Sequence, residues 1–425
     1  MRMRLSKLLQ SGLVHNVLAL SGFNFASYIF PLITVPYVAR VLGPTAWGLV
    51  AFGQAFGQYI NLLVDYGFNM SATREVSRYR DSQDRLADIV AGVLGSKALL
   101  AFFAVVLALL VQQLVPIFQA HPALLWASLF SALASTLSPM WYYQGIEKMR
   151  LVAGLGILTK VLFTGGIFLL VRSAEDGWKV IALPGVASFI ATAVALSLLY
   201  REVPFRFPSR RLIWEALRMG WTMFVYNTGM SMYAVGNSFI LGLFAPPQLV
   251  GYYAGAEKIS KVFSTLLGPM SQVLYPRLSH LAHHNREEAA RLAWVGTAVM
   301  GMGGVLLGCV GFVLAPFLVR IMLGPGFEPA VPVLRVLAVL PTLLALSNVL
   351  GIQWMLPLGL DRPFNAIILG AGFINLSLAV VLAPHYAQMG MAYAVVFSEI
   401  FVTLAMYVFL SIKKLGFWNL GRVGR

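Results

Sequence analysis

Apolar stretches of twenty residues or more recur along this chain, separated by short, basic connectors. That alternation restricts the possible folds more than any motif does. A membrane span needs about 20 apolar residues, and such runs fall near 16–38, 46–66, 89–112, 121–142, 152–171, 179–200, 219–243, 249–275, 292–319, 331–357, 364–383 and 387–411. The eighth is interrupted by Glu257, Lys258 and Lys261. Only 11% of the 425 residues are charged and 59% are hydrophobic. A soluble body carries roughly 25% charged residues, so lipid must solvate most of this surface. In hydrocarbon the backbone satisfies itself within helices or closed barrels, and runs of this length specify helices. The expected fold is all-α, a polytopic membrane protein with about twelve transmembrane helices.

The net charge of +15 would suggest nucleic acid in a soluble protein. Here the cations sit in the connectors, so no nucleic-acid partner is expected. With these spans, 22 Lys and Arg lie on one face and four on the other, while Lys97, Lys160, Lys258, Lys261 and Arg335 lie within spans. The positive-inside rule makes the richer face cytoplasmic and places both termini there. Arg2, Arg4 and Lys7 precede an apolar run that imitates a signal peptide, but the run reads as an uncleaved first span. The single cysteine, Cys309, excludes an internal disulfide and reads as a packing residue.

The longest basic linker runs from Arg201 to Arg218 and divides the chain into 1–211 and 212–425. RVLGPTAWGLVAF after the first span echoes GLFAPPQLVGYYA after the seventh. Six spans per half give the halves one orientation, related by an axis along the membrane normal. A cleft between two such bundles suits transport. No Walker A sequence, HExxH, CxxC or nucleophile elbow is present, and no long outer loop is available for an enzyme site. His283 and His284 beside Arg286 read as a solvated pair. No cofactor or metal is expected.

Ionisable residues inside spans are costly and normally face a bundle interior or a watery path. Lys97 and Lys160 have no acidic residue one helical turn away. Glu257 and Lys261 are four apart, so two readings stand: a pair on one helix face, or contacts to cargo. Arg335 either snorkels to the outer interface or lines the interior. Asp65 either caps a helix end or acts in coupling, and Glu399 lies near the middle of the last span. The interior excess of cations suits an anionic cargo. Pro31 is the best hinge candidate among the prolines within spans.

PLITVPYVARVLGPTAWGL, DYGFNMSATREVSRYR, MWYYQGIEKM, YYAGAEKISK and VLYPRLSHL occur in that order between residues 31 and 281. Together they resemble the polysaccharide transporter family, the O-antigen and lipid-linked oligosaccharide flippases of the multidrug, oligosaccharidyl-lipid and polysaccharide exporter superfamily. The resemblance implies two six-helix bundles around a central cationic cavity. It implies transfer of an undecaprenyl-diphosphate-linked glycan from the cytoplasmic to the outer leaflet of a bacterial inner membrane. Polysaccharide polymerase machinery and a coupled proton or ion are further implied partners, besides membrane lipids. The matching segments add Arg74 to Asp65, Glu257, Lys258 and Lys261 as residues of interest. Two related functions remain as alternatives, a multidrug and toxin exporter and a peptidoglycan lipid II flippase. The first and seventh spans contain no Asp or Glu, which argues against the exporter.

Overall fold

The computed structural model describes residues 12–234 and 236–420. It is helical, with no strand among the described residues. Seven helical stretches there are long and apolar enough to cross a membrane. The two longest helices each contain a sharp bend. Gly12–Asp65, α1, bends at Gly43, whose φ of 68° suits a residue without a Cβ. Its two limbs carry the first and second expected spans. Asp361–Ile412 bends at Ala387 (φ 45°), between the eleventh and twelfth expected spans.

The chain divides into two compact units. The first holds the chain up to Leu42 together with Phe52–Thr228, and the second holds Gly43–Ala51 and the chain from Gly229 onward. In the first unit, α2 (Phe68–Arg78) and α3 (Gln83–Leu114) follow α1. Next come α4 (Pro122–Thr136), the short α5 (Met140–Gly145), α6 (Met149–Leu170), α7 (Gly177–Glu202) and α8 (Arg210–Ala234), which continues past the unit's last residue. The core gathers Phe68, Val76, Trp141, Tyr142 and Tyr143 with small residues of α7. Tyr143 Oη donates to Ala195 O at 2.6 Å, which ties α5 to α7.

The second unit contains α9 (Asn237–Phe244), α10 (Pro247–Thr265), α11 (Gly268–His284) and α12 (Arg286–Val313). It continues with α13 (Ala315–Met322), α14 (Ala330–Leu337), α15 (Leu340–Asn348), a π-helical turn over Val349–Met355, and α16 (Asp361–Ile412). Proline occupies the first turn of α10, α11, α13 and α15, where its missing N–H costs nothing. Trp354, Met355, Met406 and Phe417 centre its core. Cys309, expected inside, is exposed on α12. The apolar run that contains it presents that position to lipid, which hydropathy alone does not distinguish from a packed face.

Lipid tails are as apolar as leucine, so close packing and buried polar contacts hold such helices together. The closest packing joins the two echoing segments. A methyl group on Gly48 would lie 1.7 Å from Pro247 O, and one on Gly251 would lie 2.0 Å from Pro44 O. Each glycine stands four residues after a proline and faces the proline of the other segment. Only glycine allows that reciprocal approach of backbones.

Candidate functional site

Lys97 is the most deeply placed charge among the described residues of the first unit. It lies on α3, its side chain is 1% exposed, and its Nζ donates to Thr136 O at 2.6 Å. Asp65 Oδ1 lies 3.6 Å from the same ammonium. Local sequence explains both partners. α4 stops at Thr136, three residues before Pro139, so its last carbonyls lack helical donors. An ammonium there satisfies one of them and complements the negative end of the helix dipole. Asp65 ends α1, where Tyr66 and Gly67 turn the chain with φ of 49° and 74°. A lysine with no acidic neighbour on its own helix thus has two partners distant in sequence.

In the second unit α10 carries Glu257, Lys258 and Lys261. Glu257 Oε1 lies 3.1 Å from Lys261 Nζ and accepts from Tyr253 Oη at 3.5 Å. The helix-face pair therefore exists, and it leaves the Lys261 side chain 59% exposed. Lys258 turns to an aromatic face instead, with Nζ 4.6 Å from the Trp47 ring centroid. Trp47 is buried, and its indole N–H has no hydrogen-bond partner.

The remaining residues are dispersed. Glu399 is buried on α16 and accepts from Ser347 Oγ at 2.8 Å. Arg335 is exposed on α14, with its guanidinium 5.4 Å from the Phe312 ring centroid. Lys160 is half-buried on α6, and Arg74 is exposed on α2. Pro31 is exposed within α1, whose backbone stays helical there and breaks at Gly43. No cluster of metal-ligating side chains occurs among the described residues.

Sequence reasoning missed three polar features. Trp47 lies in the echoing segment GPTAWGL but carries no charge to attract notice. Ser347 is an ordinary serine until α16 brings Glu399 beside it. Gln353 lies in the π-helical turn, donates to Ser271 Oγ at 2.7 Å, and leaves its buried Oε1 without a partner. A π turn in a helix often marks a functional place, but nothing in the local composition announces one.

The chain's likeness to known proteins extends over nearly its whole length. A family model described as "Polysaccharide biosynthesis protein" matches residues 13–282. An Escherichia coli (strain K12) protein named "Putative O-antigen transporter" is 31% identical over 406 residues, 94% of this chain and 97% of that protein. A Shigella dysenteriae protein of the same name is 28% identical over 403 residues, 92% of this chain and 98% of its own. Among solved structures, the lipid II flippase MurJ in an inward closed conformation aligns with a TM-score of 0.74. That alignment covers 95% of this chain and 90% of MurJ at 12% identity. An inward-facing multidrug resistance MATE family transporter of the MOP superfamily gives 0.70, covering 93% and 96% at 13% identity. These two likenesses are likenesses of fold.

Proposed function

The chain belongs to the polysaccharide biosynthesis protein family, and from that premise we propose that it is a flippase for an undecaprenyl-diphosphate-linked oligosaccharide. The cargo is an O-antigen or similar surface-polysaccharide repeat unit. It moves from the cytoplasmic to the outer leaflet of a bacterial inner membrane by alternating access of two six-helix bundles, 1–211 and 212–425, with both termini cytoplasmic. The observation that carries this reading is the match, over nearly the full length of both chains, to proteins named as O-antigen transporters.

Physical chemistry supports the task. Each sugar hydroxyl moved bare into hydrocarbon costs about 4–8 kcal/mol, so a glycan with about ten hydroxyls does not cross unaided. A flippase supplies a polar path while the prenyl tail stays in lipid. Lys97, Lys160, Lys258, Lys261 and Arg335 are the proposed cations for the diphosphate. Lys258 is held more loosely than Lys97, because an aromatic face is a weaker partner than a carboxylate. Asp65, Arg74, Glu257 and Glu399 are the polar and coupling candidates, and Pro31 is the hinge candidate. Outward movement of negative charge is favoured by a negative-inside potential, by about 2.3 kcal/mol per charge per 100 mV. Polysaccharide polymerase machinery would receive the product.

Deletion of the gene, followed by analysis of lipid-linked sugars, tests the reading. The expected result is accumulation of an undecaprenyl-diphosphate glycan on the cytoplasmic leaflet. Accumulation of lipid II instead would transfer the protein to the peptidoglycan pathway. Cation-dependent dye efflux by the purified protein would make it a multidrug exporter.

A further inference from the structure

The linker before α8 and the first turns of α8 are fastened on one side and bare on the other. Arg206 fastens the linker, with Nη2 2.5 Å from Asp84 Oδ1 and Nη1 2.7 Å from Asp88 Oδ1. On α8, Ser96 Oγ donates to Ile213 O at 3.1 Å and Ala216 is buried. Tyr66 stacks on Phe224 with centroids 4.5 Å apart. The backbone of this stretch is therefore held in place by the first unit.

Its outer side carries aromatics and cations together. Phe207 is 84% exposed and Trp214 70% exposed, and Phe205 is exposed as well. Phe205 stands edge-on to both Tyr200 and Phe207, at 5.4 and 5.1 Å between centroids. Arg210, Trp214 and Arg218 recur every four residues, so they share one face of α8. Arg201, Arg210 and Arg218 are exposed, and none forms an ion pair with a carboxylate among the described residues.

Two environments are excluded by cost. Water disfavours so much fixed, bare aromatic surface. Hydrocarbon disfavours three unpaired guanidinium groups. The headgroup layer satisfies both, since aromatic rings settle there and cations meet lipid phosphates. The N-terminal stretch is an unsuitable cover, because Arg2, Arg4 and Lys7 have the same sign as the surface. We propose that Arg201, Arg210 and Arg218, with Phe205, Phe207 and Trp214, form a binding surface for the headgroups of anionic phospholipids. The guanidinium groups engage the phosphates and the rings enter the interface between them. Positive-inside counting orients a loop by its total charge. This surface instead selects lipids by charge, and it does so whatever the transporter carries.

The test is a titration of the purified full-length protein in micelles with a dansyl-labelled phosphatidylglycerol, read by dansyl fluorescence. Saturable binding is expected, displaced by unlabelled phosphatidylglycerol but not by phosphatidylcholine or inorganic pyrophosphate. The triple variant R201Q/R210Q/R218Q should raise the half-saturating concentration at least tenfold, since each basic residue near an anionic surface contributes about fivefold. R210Q and R218Q alone should each weaken binding about fivefold. F205S/F207S should also weaken it while leaving the charge intact. Wild-type affinity in the arginine variants would overturn the proposal, as would equal displacement by phosphatidylcholine. Displacement by pyrophosphate would also overturn it, by assigning the surface to soluble diphosphates.

Discussion

Lys97 and Lys258 look alike as letters in apolar runs, and the fold treats them differently. Lys97 is enclosed, with a main-chain carbonyl at 2.6 Å and a carboxylate at 3.6 Å. Lys258 lies over the Trp47 ring at 4.6 Å. A buried ammonium between carbonyl and carboxylate is satisfied, and separating it leaves a bare charge behind. An ammonium over an aromatic face is held by about 0.5–2 kcal/mol, which an incoming diphosphate can exceed. The same residue type therefore closes a buried polar contact in one place and rests on an aromatic face in the other. Both lysines are proposed cargo cations, and the contrast ranks Lys258 first.

The largest expected effect tests the integrity side. Lys97→Ala strands Asp65 and the Thr136 carbonyl, at about 3–5 kcal/mol for a broken buried pair. Folded yield by size-exclusion chromatography should fall sharply. Removing both charges in K97M/D65N should recover much of it; equal yields for K97A and wild type would dissolve the contrast. Next in size is the glycine contact. Gly251→Ala puts a methyl against Pro44 O, and overpacking of this kind costs about 1–3 kcal/mol. Flipping in proteoliposomes and thermal stability should both drop, whereas Gly154→Ala, where a methyl meets no neighbour, should change neither.

The third prediction sharpens the cargo side. Lys258→Ala should leave expression and melting temperature near wild type and reduce flipping about tenfold or more. Trp47→Phe, which keeps a ring under the ammonium, should cost less than Trp47→Ala. Loss of folding in K258A would place Lys258 with Lys97 instead. The smallest effect belongs to Lys261→Ala, because the lysine of this i,i+4 pair is exposed and such helix pairs contribute about 0.3–0.5 kcal/mol. Its melting temperature should stay within error of wild type; a drop of several degrees would show that the pair is buried in the working protein.

Legibility followed distance along the chain. Glu257 and Lys261 were visible as a pair because one helical turn separates them. The connector at Gly43-Pro44 was visible because glycine and proline punctuate apolar runs. Asp65 and Thr136 lie 32 and 39 residues from Lys97 (contacts that no helical period implies). The Ser347 contact to Glu399 spans 52 positions. Cys309 was misplaced because an apolar run shows which residues avoid water, not which avoid lipid.

Sequence by itself determined that this is a helical membrane protein and which connectors are basic. Hydropathy and charge act residue by residue and need no partner. The resemblance carried by its ordered segments added the family. Tertiary structure alone decided which interior lysine is enclosed, which faces an aromatic ring, and which glycines let backbones touch. Those outcomes depend on distances across helices, and a charge in lipid is defined by whatever the fold sets beside it.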